Sequence, residues 1–64
     1  MPNRMTGSIL VIDDDESILR LLSKFLKSEG HHVVAEINGN TALEIFKAQK
    51  FDAVITDMYM PELD

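Results

Sequence analysis

Short apolar runs and amphipathic stretches alternate along this chain. Ser8-Ile9-Leu10-Val11-Ile12 is a continuous run of branched residues. It lacks the polar alternation of a strand with one wet face, so it predicts a strand covered on both faces, as in a parallel sheet. Ile18, Leu22, Phe25 and Leu26 then recur at helical spacing, with Leu21 widening the stripe and Arg20, Lys24 and Lys27 largely on the other side. An Asp within Asp13–Ser17 suits the N-cap, and Gly30 stands where a helix-ending glycine belongs, so the spacing predicts a helix over 16–29. His32-Val33-Val34-Ala35-Glu36 reads as a second short strand, and Asn38-Gly39-Asn40 as a turn. Thr41-Ala42-Leu43-Glu44 matches a capping box. It opens a helix carried by Ala42, Phe46 and Gln49, with Leu43 and Ile45 beside them, to about Lys50. Asp52 to Asp57 reads as a third strand, apolar through its centre, and Met58 to Asp64 as a loop containing Pro61.

The order strand, helix, strand, helix, strand implies an α/β fold with right-handed parallel crossovers. No repeat or linker divides the 64 residues. The reading is one domain over 8–64, with 1–7 as a flexible lead-in. A chain this short buries only about 60% of the surface its unfolded form exposes, so its stability is marginal.

Charge narrows the function classes. Eleven acidic residues against six basic ones give a net charge of −5. That disfavours binding to a phosphate backbone, which needs Lys and Arg, and favours cations or basic partners. There are no cysteines, so disulfides and thiolate metal sites are excluded and a reducing cytoplasm fits. No apolar run approaches the roughly 20 residues of a membrane span, and Ile9–Ile12 stops at three carboxylates, too short for a signal peptide.

Candidate chemistry lies at the strand ends. In open parallel sheets, ligands bind beyond the carboxyl ends of the strands where strand order reverses. The first strand ends in Asp13-Asp14-Asp15 and the third in Asp57. If these strands are neighbours, the carboxylates converge. Like charges so close repel unless a cation lies between them, and hard oxygens suit Mg²⁺. A carboxylate beside such a metal can attack phosphorus. The structural alternative is that the acidic run only caps a helix, with charges that favour its dipole, and that Asp57 is only a loop cap after a strand. His31 and His32 fall at the amino end of the sheet and read as solvated. Met58, Tyr59 and Met60 read equally as loop packing or as a recognition surface.

Ile9-Leu10-Val11-Ile12-Asp13-Asp14-Asp15, then Gly30, Asn38-Gly39 with Ala42-Leu43-Glu44, and Asp52-Ala53-Val54-Ile55-Thr56-Asp57-Met58-Tyr59-Met60-Pro61 together resemble the bacterial response-regulator receiver family. The resemblance runs from about Ser8 to the last residue. It implies a flavodoxin-like fold, of which this chain would supply the N-terminal βαβαβ half with strands in order 2-1-3. It implies that Asp57 is the phosphoacceptor in a two-component phosphorelay and that the donor is a phosphohistidine on a sensor histidine kinase. Asp14 would bind Mg²⁺ directly and Asp13 directly or through water, with the Tyr59 backbone carbonyl as a further ligand beside Asp57. Asp15 would cap the helix. The protein would promote its own phosphorylation without being an enzyme.

The resemblance also implies that a complete receiver is considerably longer. The Ser/Thr that contacts the phosphoryl group and the Lys that pairs with it lie in the half this sequence does not contain. The isolated chain is therefore expected to accept phosphate weakly or not at all. Its third strand is expected to be an exposed edge through which two copies pair as a homodimer. The alternative function is a non-signalling half-domain that self-associates as a structural homodimer. A metal-dependent phosphatase is disfavoured, because Tyr59 stands where a catalytic acid/base would follow Asp57.

Overall fold

The computed structural model describes residues 6–56. The elements are β1 (Ser8–Ile12), α1 (Glu16–Ser28), β2 (His32–Glu36), α2 (Gly39–Ala48) and β3 (Ala53–Thr56). The three strands form one parallel sheet in the order β2-β1-β3. β1 is the central strand, with Ile9 opposite Val33 and Ala53, and Ile12 opposite Glu36 and Thr56.

Side chains alternate across a strand, and this explains the unbroken apolar run of β1. Ile9 and Val11 point to the α1 face, where they pack with Leu19 and with the half-buried Leu22, Leu26 and Val33. Leu10 and Ile12 point to the α2 face, against Ala42, Val34, Ile45 and Phe51. Leu10 and Val11 are completely buried.

The expected core stripe of α1 is displaced. Leu19 and Ser23 are its buried residues, while Ile18, Leu21 and Phe25 are exposed. With apolar residues at 18, 19, 21, 22, 25 and 26, periodicity alone cannot choose which part of so broad an arc meets the sheet. On α2, Ala42 is buried and Ile45 half-buried, while Phe46 and Gln49 are exposed.

Caps set the helix starts. Asp15 is extended (φ −93°, ψ 108°), and its side chain accepts from the Ser17 and Ile18 amides. Gly30, with φ +97°, ends α1 in the left-handed region that glycine tolerates. For α2 the capping box at Thr41 is corrected. Asn38 is the N-cap, its Oδ1 accepting from the Thr41 amide at 3.0 Å, and the helix starts at Gly39. An Asn side chain in an extended residue satisfies the first-turn amide, so Thr41 is already inside the helix.

Candidate functional site

The carboxyl end of β1 carries the acidic run. Asp13 is 8% exposed, and its amide donates to the Glu36 carbonyl at 3.2 Å, which extends the β1–β2 contact past the strand. Its Oδ1 accepts from the Asp15 amide at 2.9 Å. Asp15 spends its own Oδ1 on α1, accepting from Ser17 at 2.9 Å and Ile18 at 3.3 Å. Asp14 is exposed, and among the described residues its side chain makes no hydrogen bond or ion pair. The three consecutive carboxylates are thus differentiated: one is buried and oriented, one is open to solvent, and one is committed to the helix.

Glu36 is a fourth acid at this edge. Its Oε2 accepts from the Ile37 and Asn38 amides, both at 3.2 Å. It shapes the turn into α2 and has its oxygen occupied there. The signal for it was an acid two residues before the Asn-Gly turn.

β3 brings the last element to the same edge. Its final described residue, Thr56, lies opposite Ile12 in the parallel register, and the sequence continues with Asp57. Asp57 and Tyr59 lie outside the described residues. Within those residues no three of His, Cys, Asp and Glu gather into a metal-binding group. The donors at this edge are the carboxylates of Asp13 and Asp14. That set fits Mg²⁺, which takes one or two carboxylates and keeps several waters.

The amino end of the sheet is fastened differently. The Gly7 amide donates to His31 Nδ1 at 3.2 Å, and the Ser8 amide donates to Asp52 Oδ2 at 2.7 Å. The Gly7 carbonyl accepts from His32, and the Ser8 carbonyl from Asp52. His31 is therefore half-buried and holds the chain entering β1, where sequence reading took it as solvated. An open cleft of about 230 Å³ lies here, lined by Thr6, Gly7, Ile9, His31, Asp52 and Ala53, at the far end of the sheet from Asp13. Among the described residues no helix is long and apolar enough to cross a membrane.

The sequence profile of the response regulator receiver domain matches residues 9–64. The chain belongs to this family. Among similar proteins, a probable transcriptional regulator ycf27 from Porphyridium aerugineum is 45% identical over 56 residues, covering 88% of this chain and 23% of that protein. The alkaline phosphatase synthesis transcriptional regulatory protein PhoP of Bacillus subtilis is 38% identical over 60 residues, covering 94% of this chain and 25% of its own length. The chemotaxis response regulator CheY4 of Vibrio cholerae superposes with a TM-score of 0.83 at 32% identity, over 89% of this chain and 48% of that one. The receiver described here thus spans about half the length of that solved structure and about a quarter of these two relatives. The β2-β1-β3 sheet is the corresponding part of a flavodoxin-like receiver fold.

Proposed function

We propose that this receiver is the phosphoacceptor portion of a two-component response regulator, with Asp57 as acceptor and a sensor histidine kinase as donor. The observation that carries this reading is the parallel register of β1 with β3. Ile12 lies opposite Thr56, so the two adjacent strands that lead in sequence to Asp13 and to Asp57 end at the same level. This is the sheet edge where α/β folds bind ligands.

In the proposed reaction a carboxylate oxygen of Asp57 attacks phosphorus in line. A P–O bond forms as the P–N bond to the donor imidazole breaks, and the imidazole leaves with the bonding pair and takes up a proton. Mg²⁺, when bound, would offset charge on the transferring phosphoryl oxygens. Asp13 and Asp14 would hold it, with the Tyr59 carbonyl as a further ligand. The Asp13 side chain enters this role already oriented by its bond from the Asp15 amide. Asp14 is open to solvent and enters it without a competing partner among the described residues. Asp15 takes no part beyond capping α1.

The test is intact-mass spectrometry of the 64-residue chain incubated with a small phosphodonor and Mg²⁺. A low-yield gain of one phosphoryl group is expected, lost in Asp57→Asn and lost on chelation. A gain that persists in Asp57→Asn would overturn the assignment, whereas the absence of a gain is the other outcome expected of a chain without the Ser/Thr and Lys of a complete receiver. Mg²⁺ titration followed by thermal melting separates metal binding from transfer. The wild type should be stabilised by Mg²⁺ and Asp14→Ala should not.

A further inference from the structure

The asparagine that caps α2 is followed directly by a glycine. A backbone nitrogen can attack the side-chain amide carbon of an asparagine before it and close a cyclic imide. The attack needs room around the nitrogen, and glycine, with no Cβ, leaves the most. Asn40 is the other asparagine among the described residues, and the β-branched Thr41 follows it. Chemistry of this kind therefore favours Asn38.

The structure leaves the reacting groups free and the geometry closed. Asn38 is exposed to solvent. Among the described residues, neither its Nδ2, the leaving nitrogen, nor the Gly39 amide, the attacking one, makes a hydrogen bond. The Gly39 amide is one of the first-turn donors that no helical carbonyl reaches. Ring closure needs the Gly39 nitrogen eclipsed with the Asn38 Cβ about the Cα–C bond. The extended ψ of 126° holds them well away from that arrangement. Hydrogen bonds fix it there. Asn38 Oδ1 accepts from the Thr41 amide at 3.0 Å, its carbonyl accepts from the Ala42 amide at 2.9 Å, and its own amide donates to Glu36 Oε2 at 3.2 Å. This hold is local. Between Asn38 and the buried Ala42 the turn consists of Gly39, Asn40 and Thr41, all poor helix formers, with Asn40 and Thr41 exposed. Such ends open at far lower free energy than the whole fold.

We propose that Asn38-Gly39 is a self-modification site, gated by the first turn of α2, at which the helix cap is converted to aspartate or isoaspartate. When the turn opens, a base takes the Gly39 amide proton and the nitrogen bonds to Asn38 Cγ. The Cγ–Nδ2 bond breaks and ammonia leaves. Water then adds to one carbonyl carbon of the imide and breaks its bond to the Gly39 nitrogen. Addition at Cγ gives aspartate, and addition at the backbone carbon gives isoaspartate. Either product adds a negative charge at the end of the sheet that carries Asp13, Asp14 and Glu36. The products differ in what they do to α2. Aspartate keeps an oxygen for the Thr41 amide and suits a helix N-terminus. Isoaspartate runs the backbone through Cβ and Cγ, which lengthens the link to Gly39 and takes the acceptor out of place. That product uncaps α2 and disturbs the turn that Glu36 Oε2 holds. The proposal rests on the cap alone and stands independently of the phosphorylation chemistry.

The experiment ages the 64-residue chain at mildly alkaline pH and maps its peptides by mass spectrometry, with an isoaspartate-specific methyltransferase to label that product. Conversion at residue 38 is expected in the folded chain, about fivefold or more below the rate in concentrated urea, the factor that the strength of an N-cap implies. In low urea, below the unfolding transition, the folded rate should stay nearly flat, because opening one turn exposes little surface. Gly39→Ala should nearly abolish conversion in concentrated urea, where folding of the variant has no bearing. Separated by charge, the aspartyl form should melt close to the unmodified chain and the isoaspartyl form clearly below it. Conversion at Asn40 as fast as at Asn38 would overturn the proposal. So would a folded rate equal to the unfolded one, or one that climbs with urea as the unfolded fraction does. A folded chain that stays unconverted while the unfolded chain reacts to completion many times over would overturn it as well.

Discussion

Individual side chains do specific jobs here that their types alone do not disclose. Gly7 enters β1 so close to Asp52 that a Cβ would overlap the carboxylate accepting the Ser8 amide. Gly7→Ala is therefore expected to destabilise the chain by about 1–3 kcal/mol, the range for overpacking. The clash and the hydrogen bond share one carboxylate, so the cost of Gly7→Ala should fall in an Asp52→Ala background. Urea denaturation of the four proteins in that cycle would show non-additivity, and strictly additive effects would contradict the contact. Ser23 makes the opposite case. It is buried on α1, and its hydroxyl has no partner among the described residues. Ser23→Ala should be neutral or raise the urea midpoint by an amount equivalent to about 1 kcal/mol, since an unsatisfied buried hydroxyl costs roughly 1–3 kcal/mol.

At the scale of elements, caps and alternation explain most of the layout. An aspartate cap for α1 was legible from acids followed by an apolar period, and the family resemblance pointed to Asp15 among them, which is the residue that caps the helix. The start of α2 was not, because Asn38-Gly39-Asn40-Thr41 offers two overlapping signals, and the choice rests on whether Asn38 or Thr41 is extended. The two starts predict different mutants. Asn38→Ala should cost about 1 kcal/mol, as loss of an N-cap does. Thr41→Ala, already inside the helix, should cost less than about 0.5 kcal/mol. Equal losses in thermal or urea melts would restore the capping box. The exposed Glu16–Arg20 pair, 3.5 Å apart on α1, adds little beyond helix solubility.

For the whole molecule, the described residues give the sheet a covered central strand and an exposed flanking one. β1 is buried on both faces and both edges, while every residue of β3 is exposed. A chain of this size has little stability to spare. The functional edge has the same division. Asp13 and Asp14 are held or presented by β1 and its turn, while Asp57 enters through its position in the sequence after Thr56.

The alternation of short apolar runs with amphipathic stretches was enough to determine the βαβαβ order and a parallel sheet, and the motifs carried the resemblance that implied β1 central and the family. These depend on local period, on the handedness of crossovers and on motifs read in linear order. The tertiary structure alone decided which part of the broad apolar arc on α1 is core. It also decided which of three adjacent aspartates is buried, and that His31 and Asp52 fasten the entry to β1. Each of these depends on what stands across a contact between residues distant in sequence. Periodicity along one segment carries no information about that neighbour.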